Sequence, residues 1–193
     1  MNNRERVIKA CMELIRLRGL TGFTMDELAS RSGLSKATVY RHFLSKESMI
    51  EATLDDFMQN SRQYIRHILA TEPSADRIME SFLTYLASRA QFLVNVQVVK
   101  ELKQHYPHIY DRMEEARLEI LNSVLDQIAR QYPDCTAGID FRIVSATMVA
   151  SFRAVLNPEF LLDNGLTIEQ TIRQLTKMWL SFFSHTPFHP SCP

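Results

Sequence analysis

Glycine and proline interrupt this chain so seldom that long helices are almost the only structure open to it. The glycines are Gly19, Gly22, Gly33, Gly138 and Gly165, and no proline precedes Pro73 in the 193 residues. Pro107, Pro133, Pro158, Pro187, Pro190 and Pro193 follow at wide intervals. Proline breaks a helix interior and glycine weakens one, so the stretches between them are free to be helical. No stretch keeps the strict two-residue alternation of a half-buried strand. The expected class is all-α.

The apolar periods place the helices. Val7, Ile8, Cys11, Leu14 and Ile15 form a stripe on a first helix over 3–18, which Gly19 ends. Thr24 caps a second helix, whose first turn holds Asp26 and Glu27 where the helix dipole favours them. Gly33 stops it, and Ser35 caps a short third helix ending near Phe43. Ser45 caps a fourth over about 46–70, with Ile50, Leu54, Phe57, Met58, Ile65 and Ile68 on one side. Further helices are expected near 74–90, 93–105, 107–132, 139–156 and 167–184. Pro107 suits a first helical turn, where its missing N–H is harmless.

Composition narrows the function. Hydrophobic residues make up 46% of the chain and charged residues 23%, as in ordinary globular proteins. No apolar run approaches the roughly 18 residues of a membrane span, and the charged N-terminus lacks a signal peptide's apolar block, so the expected location is cytoplasmic, away from membranes. Cys11, Cys135 and Cys192 are scattered, with no disulfide framework or metal spacing. Cys11 reads as a small core residue, with a redox sensor as the alternative. Net charge is zero overall, yet residues 1–50 hold 9 Lys/Arg against 5 Asp/Glu, a surplus of four positive charges. A basic head on an acidic body suits an anionic partner at one end. There is no phosphate-binding Gly-rich loop, no Gly-x-Ser-x-Gly and no His-Glu-x-x-His, so no enzyme activity and no cofactor are expected.

Residues 24–43 supply the partner's identity. Ala29 is small enough for close helix approach, and Gly33 can take the left-handed conformation of a tight turn. Leu34 fills the crook of that turn. Val39 and Phe43, four residues apart, face inward onto Leu28. Ala37, Thr38 and Arg41 then point outward, with Lys36 and Tyr40 on one flank and His42 on the other. This is the arrangement of a recognition helix in the major groove of DNA. Arg41 and Lys36 can reach guanine O6 and N7, and Thr38 a thymine methyl or base edge. Tyr40 and the hydroxyls of Thr24 and Ser35 suit phosphate contacts, and Lys46 is expected to reach the DNA backbone from the start of the fourth helix.

Gly22-Phe23-Thr24, Leu28-Ala29, Gly33-Leu34-Ser35, Thr38-Val39-Tyr40, Phe43 and Lys46-Glu47 resemble the N-terminal signature of the tetracycline-repressor (TetR) family of bacterial regulators. The likeness covers roughly residues 5–50. It implies three DNA-binding helices, a linking fourth helix, and a divergent helical body that dimerises and binds an inducer. Ala37 stands where the family often has Gly or Pro. Glu101 to Tyr110, with His105-Tyr106-Pro107 in the middle, is similar to the helix break of multidrug-efflux-type members. The expected division is 1–46 for the helix-turn-helix, 47–186 for the ligand-binding and dimerisation body (47–70 being the linking helix), and 187–193 for a tail.

In the body, Ala146, Ala150 and Ala154 form a small-residue stripe beside Phe152, and Leu175, Trp179 and Phe182 dominate the last helix. Both helices are apolar on more than one face, which favours a four-helix homodimer interface over an internal core. Phe82, Tyr85, Phe92, Asn95, Gln97, Glu101, His105, Tyr110, Met113 and Arg117 mix aromatics with sparse polar groups, the composition of a ligand pocket and also of an irregular core. Glu101 and His105, one turn apart with His108 nearby, could share a metal, but surface helix pairs look the same and no metal site is expected. The expected function is a DNA-binding regulator, a repressor released from a palindromic operator by a small apolar or aromatic inducer. The alternatives are a small helical enzyme and an interaction module; neither needs the basic head or the outward Lys36, Thr38 and Arg41.

Overall fold

The computed structural model describes residues 2–93, 96–133 and 139–184. Among them run ten helices: α1 (Asn3–Arg18), α2 (Met25–Ser32), α3 (Lys36–His42), α4 (Lys46–Thr71), α5 (Ala75–Leu93), α6 (Val96–His105), α7 (Pro107–Gln131), α8 (Phe141–Val155), α9 (Pro158–Asp163) and α10 (Ile168–Ser184). No strand occurs among the described residues, as the all-α expectation requires. Nor is any described helix long and apolar enough to cross a membrane. Asn95, Cys135 and the tail 187–193 lie outside the described residues, as does the side chain of Phe92.

Local chemistry sets most of the boundaries. Asn2 and Glu5 form a reciprocal capping box at the start of α1, and Thr24 and Glu27 form another at α2. Each box satisfies N–H groups that a helix's first turn cannot pair internally. Ser45 and Ser48 do the same for α4: the Ser48 N–H donates to Ser45 Oγ at 3.0 Å, and the Ser45 N–H to Ser48 Oγ at 3.2 Å. The six-residue α9 is an addition to the expected set. Its signal was present, since Asn157 caps it through the Glu159 N–H and Pro158 takes the first turn.

The chain forms two compact units. Unit 1 comprises Met1–Ser61 and Asn95–Ala116, and unit 2 comprises Arg62–Val94 and Arg117–Pro193. Unit 1 therefore holds α1–α3, the first part of α4, α6 and the start of α7. Its core includes Val7, Cys11, Ile15, Leu20, Leu28, Val39, Met49, Ile50 and Leu102, all buried. Cys11 is fully buried, and burial pushes its thiol up to about 11, which leaves it unreactive near neutrality. The redox-sensor alternative has no support here.

In unit 2, α5 packs along α10. Ile78, Met79, Phe82 and Leu83 of α5 are buried, as are Leu175 and Trp179 of α10 and Phe152 of α8. Trp179 meets Phe182 edge-on at 6.0 Å between ring centroids. Phe152, Leu175 and Trp179 were expected at a dimer interface. Instead they are 6–7% exposed and covered by their own chain. Large apolar side chains gain most by filling the protomer's interior, while Ala146, Ala150 and Ala154 lie on the exposed side of α8.

Phe82 is 1% exposed and anchors the α5 side of this core. Phe82→Ala should destabilise the protein by about 3–5 kcal/mol through lost burial and the cavity left behind. Urea titration followed by circular dichroism should show a lower midpoint with an unchanged slope.

Candidate nucleic-acid interface

Three short stretches of chain build the head, and each is held by a named contact. Gly33 ends α2 in the left-handed region (φ 65°, ψ 32°), and its N–H reaches the carbonyls of Ala29 and Ser30. The Leu34 N–H then returns to Ala29 O at 3.0 Å, closing the turn. A side chain at position 33 would be strained by the backbone angle. Its Cβ would also stand 2.7 Å from Arg6 Nη2, which donates to Gly33 O at 3.0 Å. Ser35 caps α3 by accepting from the Thr38 N–H at 3.1 Å, and the two hydroxyls lie 2.9 Å apart.

α3 is anchored by Val39, fully buried, and by Phe43 just beyond its end. Arg4 covers the Phe43 ring at 5.5 Å. With these residues inward, Lys36, Ala37, Tyr40, Arg41 and His42 are exposed and Thr38 is half-buried. The expected face is thus assembled on one short helix. Lys36 pairs with the Asp26 carboxylate at 2.9 Å, and that hydrogen bond and charge raise the lysine's pKa. The pair is exposed, so it steers the side chain more than it stabilises the fold. Arg41 has no ion-pair partner among the described residues, which leaves its five donors free.

Two expected backbone-contacting groups are engaged within the protein. Thr24 Oγ1 accepts from the Glu27 N–H at 3.2 Å, and Glu27 pairs with Arg18 at 2.5 Å. The Thr24 hydroxyl is nonetheless exposed at the start of α2. Lys46 is half-buried and turned inward, away from its expected role. Its ammonium donates to Phe23 O at 2.7 Å and lies 4.1 Å from the centroid of the Phe23 ring. Burial lowers its pKa, against the opposing charges of acidic neighbours that include Glu101.

Glu101, expected as a ligand contact, is buried and fully engaged elsewhere. Its Oε2 accepts from the Leu20 N–H at 2.5 Å and the Thr21 N–H at 3.2 Å. Its Oε1 accepts from Thr21 Oγ1 at 2.8 Å and Gln97 Nε2 at 2.7 Å. Burial favours the neutral acid, but these hydrogen bonds outweigh it and hold the carboxyl below its ordinary pKa. The sequence could not reveal this role, because the Leu20 and Thr21 partners lie 81 and 80 residues away.

The remaining expected ligand residues are divided between the two units. Gln97, His105, Tyr110 and Met113 belong to unit 1, and Phe82, Tyr85 and Arg117 to unit 2. His105 is exposed and edge-on to Tyr106 at 6.4 Å, while Tyr110 lies under Lys103 at 5.1 Å. Tyr85 stacks on Tyr64 with centroids 4.5 Å apart. His108 faces Glu47 at 3.5 Å, and no cluster able to hold a metal occurs among the described residues.

Residues 7–53 match the family of bacterial regulatory proteins of the tetR type, which spans the head just described. Over 176 residues the chain is 24% identical to the HTH-type transcriptional regulator YvaF of Bacillus subtilis, covering 89% of this chain and 90% of that one. It is 31% identical over 81 residues to the class D tetracycline repressor of Escherichia coli, covering 42% of this chain and 34% of the repressor. The fold matches the transcriptional regulator FadR of Bacillus subtilis, solved with stearoyl-CoA, at a TM-score of 0.62 and 16% identity over 92% of this chain and 97% of FadR. The head over residues 7–53 thus carries the tetR family's DNA-binding module, and the rest of the chain is similar to transcriptional regulators in sequence and in helical fold.

Proposed function

We propose that the protein is a homodimeric repressor that places α3 in the major groove of a palindromic operator and leaves it when a small apolar molecule binds the helical body. The outward face of α3 carries this reading. Lys36, Ala37, Thr38, Tyr40, Arg41 and His42 occupy a helix whose inward residues, Val39 and Phe43, are buried. A helix fixed from behind and free in front is what base reading requires. Arg41 reads a base edge, and Tyr40 and Ser35 touch phosphates.

The surface of α8 supports the dimer. Ile143 is 61% exposed, and Ala146, Ala150 and Ala154 are exposed along the same side. The three alanines line a groove of about 720 Å³ that also includes Asn122 and Arg153. Small side chains let a second helix approach closely, and one patch pairing with itself about a two-fold axis is how most dimers form. A dimer also supplies the two recognition helices that a palindrome needs, about 34–36 Å apart. An apolar inducer agrees with the aromatic interior and with the fold likeness to FadR of Bacillus subtilis, whose structure holds stearoyl-CoA.

A duplex selected from a random pool by the unmodified protein provides the probe for DNA reading. Its affinity should fall as salt rises, with a log–log slope of about 0.9 per phosphate contacted. Arg41→Ala should cost about 1–3 kcal/mol on that duplex and much less on a scrambled one. Equal losses on both duplexes would assign Arg41 to the phosphates instead, and a protein that enriches no sequence would remove the DNA-binding reading.

Light scattering tests the α8 face. The unmodified protein should have twice the 22.4 kDa mass of one chain. Ala150→Glu, at a position exposed in the single chain, should give a folded monomer because a buried unpaired carboxylate is costly. A dimer of unchanged affinity in this variant would move the interface elsewhere.

A further inference from the structure

The turn joining α1 to α2 is held from both sides by charge. The Glu101 carboxylate on α6 takes its amides, those of Leu20 and Thr21, together with the Thr21 hydroxyl. The Lys46 ammonium, at the first residue of α4, takes its carbonyls, Phe23 O at 2.7 Å and Thr21 O at 3.5 Å. Neither side chain belongs to the three helices of the head. Gly19 leaves the room this needs: it has φ 75°, and a Cβ there would stand 2.8 Å from Glu101 Oε2. Thr21 thus sits between an anion that fixes its N–H and a cation that fixes its C=O.

We propose that Glu101 is a positioning residue for DNA recognition, orienting the α1–α3 head by gripping the Leu20–Thr21 backbone opposite Lys46. The proposal rests on the reading of α3 as the recognition helix. An apolar contact between α6 and the turn would hold the head loosely, because dispersion is non-directional and tolerates sliding. A carboxylate that accepts four hydrogen bonds does not, since such bonds weaken steeply with misalignment and a buried carboxylate without them is costly. The arrangement exchanges ease of burial for a defined orientation, which two heads meeting successive grooves require. Arg112 and His108 of α7 extend the same logic to α4. Arg112 pairs with both Glu51 and Asp55, and His108 faces Glu47, on one side of the helix that begins with Lys46.

Three variants of the full chain test this: Glu101→Gln, Glu101→Met and Thr21→Val. Methionine keeps the volume and removes the charge, a change that is often neutral or favourable to stability at a buried ionic site. The first readout is amide hydrogen exchange in the absence of DNA. In both Glu101 variants exchange at Leu20 and Thr21 should rise by about tenfold or more, while amides within α2 and α3 keep their protection. The second readout is affinity for the selected duplex and for a random one. Both Glu101 variants should lose about tenfold on the selected duplex and little on the random one, with Thr21→Val intermediate. A residue that merely fills space would leave Glu101→Met binding like the parent, and that result overturns the proposal. So does unchanged exchange at Leu20 and Thr21. Thr21→Val, on an exposed residue, keeps the test decisive should a Glu101 variant fail to fold: unchanged selectivity there also overturns the proposal. A parent protein that selects no duplex overturns the recognition-helix reading instead, and the exchange data separate the two failures.

Discussion

A helix of seven residues cannot stand alone in water, and everything the head does depends on α3 standing. Nucleation costs more than a single short run of hydrogen bonds returns, so such a helix exists only where tertiary packing holds it. Val39 and Phe43 supply the packing, and Ser35 satisfies the first turn through the Thr38 N–H. α2 meets α3 across a turn that Gly33 makes passable, and Arg6 ties that turn back to α1. The exposed Lys36, Ala37, Tyr40, Arg41 and His42 are left without packing duty, although Lys36 pairs with Asp26.

The head's charge is partly consumed in building it. Arg18 pairs with Glu27, Arg31 with Glu13 and Lys36 with Asp26. These pairs are exposed, so each adds little to stability. Their effect is directional: they hold long side chains to particular sides of α1–α3. Lys46, expected to contact phosphate, is held within the protein by Phe23 O and lies over the Phe23 ring.

The features legible in sequence were those whose cause is local. Thr24 three residues before Glu27, Gly33 before Leu34, and Ser35 before Thr38 announce boxes and turns that depend on only a few neighbouring residues. The inward spacing of Val39 and Phe43 followed from helical geometry, and the exposed face followed from it. What could not be read was long-range. Glu101 carried the composition of a pocket residue, yet its partners are backbone amides at Leu20 and Thr21, and a backbone amide leaves no mark on a sequence. Phe152, Leu175 and Trp179 were bulky and regularly spaced, which marks burial without saying whose chain does the burying. The α9 helix was legible but short, its Asn157-Pro158 start followed by less than two turns.

The exposed alanines of α8 and the buried aromatics of α8 and α10 obey one rule. A protomer must keep its own fold while it waits for a partner, so its largest apolar groups serve the internal core first. What remains on the exposed side of α8 is mostly shape: a groove lined by Ala146, Ala150 and Ala154, with the exposed Ile143 on the same side of the helix. Such a surface offers little attraction to unrelated apolar matter, because a row of methyl groups buries little area against a poorly fitting partner. Against a helix whose ridge matches such a groove, close approach and repeated contacts accumulate along its length. In the proposed dimer, selectivity for a second copy is then built from geometry.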